Sequence, residues 1–255
     1  MILRRLAEHV RQQNWTAIGI DLVIVVVGVF LGIQLGNWNA ARAFDAQEAS
    51  YLRQLRSEIV ENDGVLAYQG SYVGDVVEGG RRALAFLEGD GDCAADCETV
   101  LIDLFHASQV WGTGYTTAKY DEVVRLGLPT DEAAAEAVQT FYRFIDGWDV
   151  VNTSPPAYRE RVRGHLSPEV AEVLWDGCYE IQGGQLEALS HDCADDLRAH
   201  DVRPVLRSAR ADPDLAPQLR YWIGQNTFAL RFYPEMRAHA DTAVAAIDRA
   251  LRAER

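Results

Sequence analysis

The chain has 255 residues and a formal net charge of −14, with 38 acidic side chains against 24 basic ones, 23 of them arginine and one, Lys119, lysine. So acidic a surface repels nucleic acid and anionic headgroups, which argues against both as ligands of the folded body. A hydrophobic content of 48% is that of a globular protein and excludes a disordered chain.

The chain opens on MILRRLAEHVRQQN, residues 1–14, a basic amphipathic segment with Arg4, Arg5 and Arg11 against the single acid Glu8. Next comes AIGIDLVIVVVGVFLGIQLG, Ala17 to Gly36, bracketed by Trp15 and Trp38. About twenty apolar residues at ~1.5 Å rise cross the ~30 Å hydrocarbon core of a bilayer. The two indoles then fall at the two headgroup zones, where amphipathic rings are favoured. Residues 15–38 are therefore expected to form one transmembrane helix. Basic flanks stay on the cytoplasmic side, so 1–14 should be cytoplasmic and 39–255 extracytoplasmic. Two other readings compete with this one. A cleaved signal peptide has Ala41-Arg42-Ala43 in its favour, but its apolar region would be only about 7–15 residues long. A buried helix of a soluble core fits the flanking tryptophans and arginines less well.

Inside the span, Gly28, Gly32 and Gly36 recur at every fourth position, and bare glycine lets a second helix approach closely in lipid. Asp21 lies one turn into the apolar run. Solvation at the inner interface and a contact with a basic residue of another subunit are both open readings. Gln34 is a further candidate for a bond across helices.

Beyond the span no proline interrupts AARAFDAQEASYLRQLRSEIVEN, so the helix should run on to about Leu87, with Leu52, Leu55 and Ile59 on one face. Gly70, Gly74, Gly79 and Gly80 should weaken its later part. A helix is expected in ETVLIDLFHASQV, with Val100, Leu101, Leu104 and Phe105 inward. Another is expected in TAKYDEVVRLGL, with Tyr120, Val123 and Val124 inward. Pro129 stops it, and Thr130 or Asp131 caps a helix that buries Ala134, Val138, Phe141, Ile145 and Trp148. Ser167-Pro168-Glu169 reads as a helix start. Residues 178–212 are ambiguous, with room for a short strand. From Asp212-Pro213 a long helix carries the stripe Leu219, Ile223, Asn226, Leu230, Tyr233, Arg237, Ala240, Val244, Ile247 and Leu251, spaced alternately four and three, with a kink at Pro234. The expected fold class is mainly α: the membrane helix continues into an extracytoplasmic helical bundle. The heptad-patterned C-terminal helix should pack antiparallel on the first and carry Arg249, Arg252 and Arg255 back toward the lipid.

All four cysteines, Cys93, Cys97, Cys178 and Cys193, follow the span, and an even number in an oxidising compartment suggests disulfides. Three pairings are possible, and the local ones, Cys93–Cys97 and Cys178–Cys193, need no tertiary assumption. The alternative is a metal site with His106 or His191, although a second short-spaced cysteine pair is missing.

QNWTAIGIDLVIVVVGVFLGIQLGNWNAARA, residues 13–43, followed by YLRQLRSEI, resembles a family of short bacterial single-pass membrane proteins classed as a domain of unknown function. TTAKYDEVVRLGLPTDEAAAEAVQTFYRF, residues 116–144, is a looser second match, with a Tyr-led helix, a turn with Gly and a helix ending in the pair Phe141 and Tyr142. Together these blocks cover under a third of the chain. The resemblance implies a single-pass protein with a helical outer domain, and with the basic flank inside, the expected location is the bacterial inner membrane with that domain in the periplasm. It brings no activity or catalytic residues with it, and the cysteines lie outside the family's pattern.

Catalytic motifs are missing: there is no Gly-x-Ser-x-Gly, His-Glu-x-x-His or phosphate-binding glycine loop. Ser190-His191-Asp192-Cys193 are sequence neighbours, whereas triad members converge from separate elements. Glu88 to Asp92 with Asp96 fails the calcium-loop template. Trp111, Tyr115 and Tyr120 could line a pocket, though such aromatics more often fill a core. The sequence thus points to a non-enzymatic membrane protein without cofactor or metal. Its expected partners are the bilayer and either a membrane protein or a second copy of itself. An outer domain that senses a ligand and signals through a partner is the alternative.

Overall fold

In a computed structural model, residues 15–253 are described apart from positions 92, 94, 95, 113, 153, 154 and 185. Arg4, Arg5, Arg11 and Arg255 lie outside the described residues, as do the rings of Trp15 and Trp148. The molecule is 76% helical with one short two-stranded sheet.

Helix α1, Trp15–Glu88, is a single rod of 74 residues, about 110 Å long at 1.5 Å per residue. It contains no proline, and its glycines do not break it. They mark where neighbours come close instead. A Cβ on Gly70 would sit 3.3 Å from the Tyr233 ring, and one on Gly80 would sit 2.9 Å from Ile223 Cγ1. From Trp38 to Gln47 the rod is exposed among the described residues, and burial begins at Glu48.

The body is built around the upper part of α1. In chain order follow α2 (Cys97–His106), α3 (Ala118–Arg125), α4 (Glu132–Asn152), α5 (Ala157–Arg163) and α6 (Pro168–Gly177). A β-hairpin, β1 (Tyr179–Gln182) and β2 (Leu186–Leu189), precedes α7 (Ala194–Leu197), α8 (Arg203–Ala211), α9 (Leu215–Ala229) and α10 (Tyr233–Ala253). The hairpin falls in the ambiguous stretch. Its strands pair Tyr179 with Leu189 and Gln182 with Leu186 across a turn where Gly183 and Gly184 take positive φ. Caps act where the sequence offered them: the Asp131 carboxylate accepts from Ala134 N–H at 2.8 Å, and Ser167 Oγ accepts from Val170 N–H at 3.4 Å.

Two apolar cores stack along α1. The one nearer the apolar segment joins Leu52, Leu55, Ile59 and Leu66 to Val138, Phe141, Tyr142 and the inner face of α10. The distal one joins Ala83 and Leu87 to α2, α5, α6, α8 and the start of α9. Helix α2 lies inside the distal core, which buries Leu101, Leu104 and Phe105 of the predicted face and also Ile102, Asp103 and His106, while Val100 is only half-buried.

Helix α10 runs antiparallel to α1, fixed by the ion pairs Arg56–Asp248 and Arg237–Asp63, each at 2.8 Å. This register brings Arg252 level with about residue 52, roughly 20 Å short of Trp38 along the rod. Arg249 and Arg252 therefore stop short of the apolar segment, contrary to the expectation that they return to its end.

The long C-terminal helix is interrupted at 230–232, giving α9 and α10. Half of its expected stripe is displaced. Leu219, Asn226, Tyr233, Ala240 and Ile247 are buried at every seventh position as expected. Between them the core is completed by Ala229, Met236, Ala243 and Ala250, while Arg237 is exposed and Ile223, Leu230, Val244 and Leu251 are only half-buried. The physical reason is close approach: alanines admit α1 and α4 on both sides, and the bulkier residues flank the seam. Val124 on α3 is also corrected, being 54% exposed while Val123 is buried.

Candidate functional site

Three places could carry function: the uncovered apolar segment, a column of buried polar groups on α1, and a cavity on the side of the body.

From Ile20 to Trp38 the large apolar side chains are 47–63% exposed and meet no other element. A Cβ built on Gly28, Gly32 or Gly36 would meet nothing within 4 Å. At 100° per residue the three glycines span about 80° of the helix surface. Asp21, seven residues before Gly28, falls about 20° from it, on the same face. Gln34 lies about 120–160° from all three, so the helix separates it from the glycine face. At the end of the segment the Arg42 guanidinium sits 4.2 Å over the Trp38 ring, a cation–π contact.

Higher on α1, Glu48, Glu58, Asn62, Gln69 and Tyr72 form a buried polar column that holds α3 and the irregular stretches on either side of it. Glu48 accepts from the Thr130 N–H at 2.7 Å and from its hydroxyl at 2.9 Å. Glu58 accepts from the backbone N–H groups of Lys119 (2.7 Å) and Tyr120 (3.0 Å) and from the Tyr142 hydroxyl (2.7 Å). It thereby caps α3 from a different helix, since the first N–H groups of a helix lack internal partners. Burial first, then Glu58, pushes the Tyr142 phenol upward and keeps it protonated as the donor. Asn62 bonds both the N–H and the C=O of Thr116 (3.0 and 2.8 Å). Gln69 accepts from the Tyr115 hydroxyl, and Tyr72 donates to Glu187 at 3.2 Å. Trp111, Tyr115 and Tyr120 belong to this core rather than to a pocket, with Trp111 edge-on to Tyr72 at 5.2 Å. No sequence periodicity reveals the column, because its partners lie 46 to 115 residues away.

Above it, Arg82 grips the buried Asp103 through two bonds, at 2.8 and 2.6 Å. His106 Nε2–H donates to the Cys178 carbonyl at 3.0 Å, and the ring lies edge-on to His191 at 4.7 Å. Burial lowers His106 to about 4, so it stays neutral. The cysteines occupy the two local pairings, with Cα–Cα distances of 4.9 Å for Cys93–Cys97 and 5.2 Å for Cys178–Cys193. Those bonds use the sulfurs the metal reading required, and the described residues hold no group of three or more ligating side chains suited to a metal.

The cavity, of about 820 Å³, opens between α4, α9 and the start of α10. Its walls include Phe144, Tyr221, Trp222, Phe228 and Met236. Phe144 is stacked on His239 at 4.4 Å, and the Trp222 indole is fixed by its N–H bond to the Ala107 carbonyl at 2.9 Å. The sequence signal was available: Tyr221, Trp222, Phe228 and Phe232 are aromatics of the C-terminal region that fall outside the heptad stripe.

No family model, curated protein or solved structure matches this chain.

Proposed function

We propose that this is a membrane-anchored, non-enzymatic accessory protein that packs on a membrane partner, or on a second copy of itself, through the Gly28/Gly32/Gly36 face. The observation that carries the reading is the uncovered apolar rod. About twenty residues of exposed aliphatic surface, joined without a break to a body that buries its own core, need a covering that the chain does not provide. Lipid provides it, and the glycine face with Asp21 then becomes the closest-approach surface for another helix. The basic N-terminal segment sets the orientation, cytoplasmic for residues 1–14 and periplasmic for the body, and the two disulfides suit an oxidising compartment. The resemblance to bacterial single-pass proteins points the same way.

Replacing Gly28 and Gly32 together with isoleucine is expected to weaken or abolish lateral association, measured by energy transfer between labelled full-length chains in liposomes or by copurification in mild detergent. The body's melting temperature should not move, because neither glycine touches it. A double variant that keeps every association of the wild type would remove the glycine face from the account. Orientation has its own check. An alkaline phosphatase fused after Arg255 should be active and a cytoplasm-dependent fluorescent reporter dark, and the reverse result would overturn the topology.

A further inference from the structure

We propose that the cavity between α4, α9 and α10 binds a single-chain amphiphile with an anionic headgroup, of the long-chain carboxylate type. Its volume, about 820 Å³, lies within the ~300–1,000 Å³ of small-molecule sites. The apolar part of its wall includes the aromatic rings of Phe144, Tyr221, Trp222, Phe228 and Phe232 and the thioether of Met236, with Phe144 held by its stack on His239 and Trp222 by its bond to the Ala107 carbonyl. Tyr221 and Phe228 stand at the rim, 68% and 56% exposed, an unusual cost for aromatics outside the membrane segment. A bound alkyl chain would cover both.

The headgroup follows from charge. Arg143 is the one charged residue among the described lining residues. It makes no ion pair among the described residues, and its recorded bond is a 3.4 Å contact with Thr140 Oγ1. Arg56, Arg82, Arg161, Arg198, Arg220 and Arg237 are each paired with a carboxylate, while Arg53, Arg81, Arg125 and Arg231, like Arg143, make no ion pair among the described residues, so it is the place of Arg143 at the cavity, and not its lack of a partner, that counts. The surface as a whole repels anions, with 36 acids against 21 bases after residue 38, but an unpaired guanidinium at the mouth of an apolar cavity supplies a local complement to a carboxylate head. Asn226, 6% exposed, is a polar group set in the wall, with its amide N–H committed to the Trp222 carbonyl at 3.0 Å.

Geometry also says where the ligand comes from. The cavity adjoins Tyr233, which faces Gly70, and 32 residues of unbroken helix separate Gly70 from Trp38. On the anchoring reading, that places the cavity about 48 Å from the end of the span, beyond the reach of a molecule still seated in a ~15 Å leaflet. The occupant is therefore a free molecule released from the bilayer, and the site does not depend on the glycine face.

The test uses the full chain in lipid nanodiscs with two photoreactive probes of equal length, a diazirine palmitate and a diazirine hexadecanol, and locates cross-links by peptide mass spectrometry. Palmitate should label peptides covering 141–147 and 221–236. Gly147→Trp should cut that labelling at least fivefold, since a side chain at Gly147 meets no atom within 4 Å and is free to fill the cavity. Phe228→Asp, at the exposed rim, should act the same way if the tryptophan variant folds poorly. Arg143→Glu should lower palmitate labelling at least fivefold and leave hexadecanol within twofold. Labels confined to residues 19–38, or cavity labels indifferent to both filling variants, would overturn the site. Equal loss of both probes in Arg143→Glu would overturn the headgroup. A change of oligomeric state in Gly147→Trp without cavity labelling in the wild type would assign the groove to a second copy and end the proposal. Loss of association in the Gly28/Gly32 variant with cavity labelling intact would leave this inference standing, and the converse would leave the anchoring reading standing.

Discussion

Glu58→Ala is expected to destabilise the body by about 3–5 kcal/mol, because it removes the acceptor of three hydrogen bonds, at about 1–3 kcal/mol for each donor left unsatisfied. Glu58 is 5% exposed and serves three donors: the Lys119 and Tyr120 N–H groups and the Tyr142 hydroxyl. Alanine leaves all three buried without a partner and removes the cap of α3. The loss should spread through the 109–131 segment, whose one short helix, α3, and flanking irregular stretches are held by side chains of α1. Glu58→Gln, which keeps an acceptor oxygen, should cost less, about 1–2 kcal/mol. Glu61→Ala, one turn along on the exposed face, should stay within about 0.5 kcal/mol. Chemical denaturation of the detergent-solubilised full chain, followed by tryptophan fluorescence, measures all three. Equal midpoints for Glu58→Ala and Glu61→Ala would show that the column is not structural.

Stability should also fall on acidification between about pH 6.5 and pH 4, through His106. Burial lowers the folded His106 to about 4, against an ordinary value of 6.5. Its neutral ring donates to the Cys178 carbonyl, with His191, Asp103 and Arg82 as the ionisable groups nearby. Below pH 6.5 the unfolded chain takes up a proton that the folded chain refuses until about pH 4. The stabilisation is therefore complete above pH 6.5 and drains away across that window, by on the order of 3 kcal/mol. Asp212, held near 2 by its bond to Arg161, adds acid sensitivity only below about pH 4. Urea midpoints at pH 7.5 and pH 4.5 should differ clearly for the wild type and much less for His106→Gln. His191→Asn should keep most of the dependence, because His106 is untouched. An unchanged pH profile in His106→Gln would refute this assignment.

What the sequence determined by itself was whatever repeats locally. The apolar run from Ala17 to Gly36, the absence of proline from Trp15 to Glu88, and the stripes Leu52–Leu55–Ile59 and Ala134–Val138–Phe141–Ile145 each fix a helix and its buried face through the 3.6-residue period. The caps at Asp131 and Ser167 were legible for the same reason, since a cap and its N–H lie three residues apart. What only the tertiary structure decided was every relation over long separations. Glu58 reads as one more surface acid of an amphipathic helix, and only the arrival of Lys119, Tyr120 and Tyr142 makes it a buried cap. Gly70 and Gly80 read as helix weakeners, and only Tyr233 and Ile223 show them to be points of close approach. The seam of α10 was misread at alternate positions because hydropathy favours Val244 and Leu251 over Ala243 and Ala250. In a helix wedged between two others, small volume decides which residue faces inward. The cavity had to wait for three elements to meet, because a concave surface belongs to no single helix.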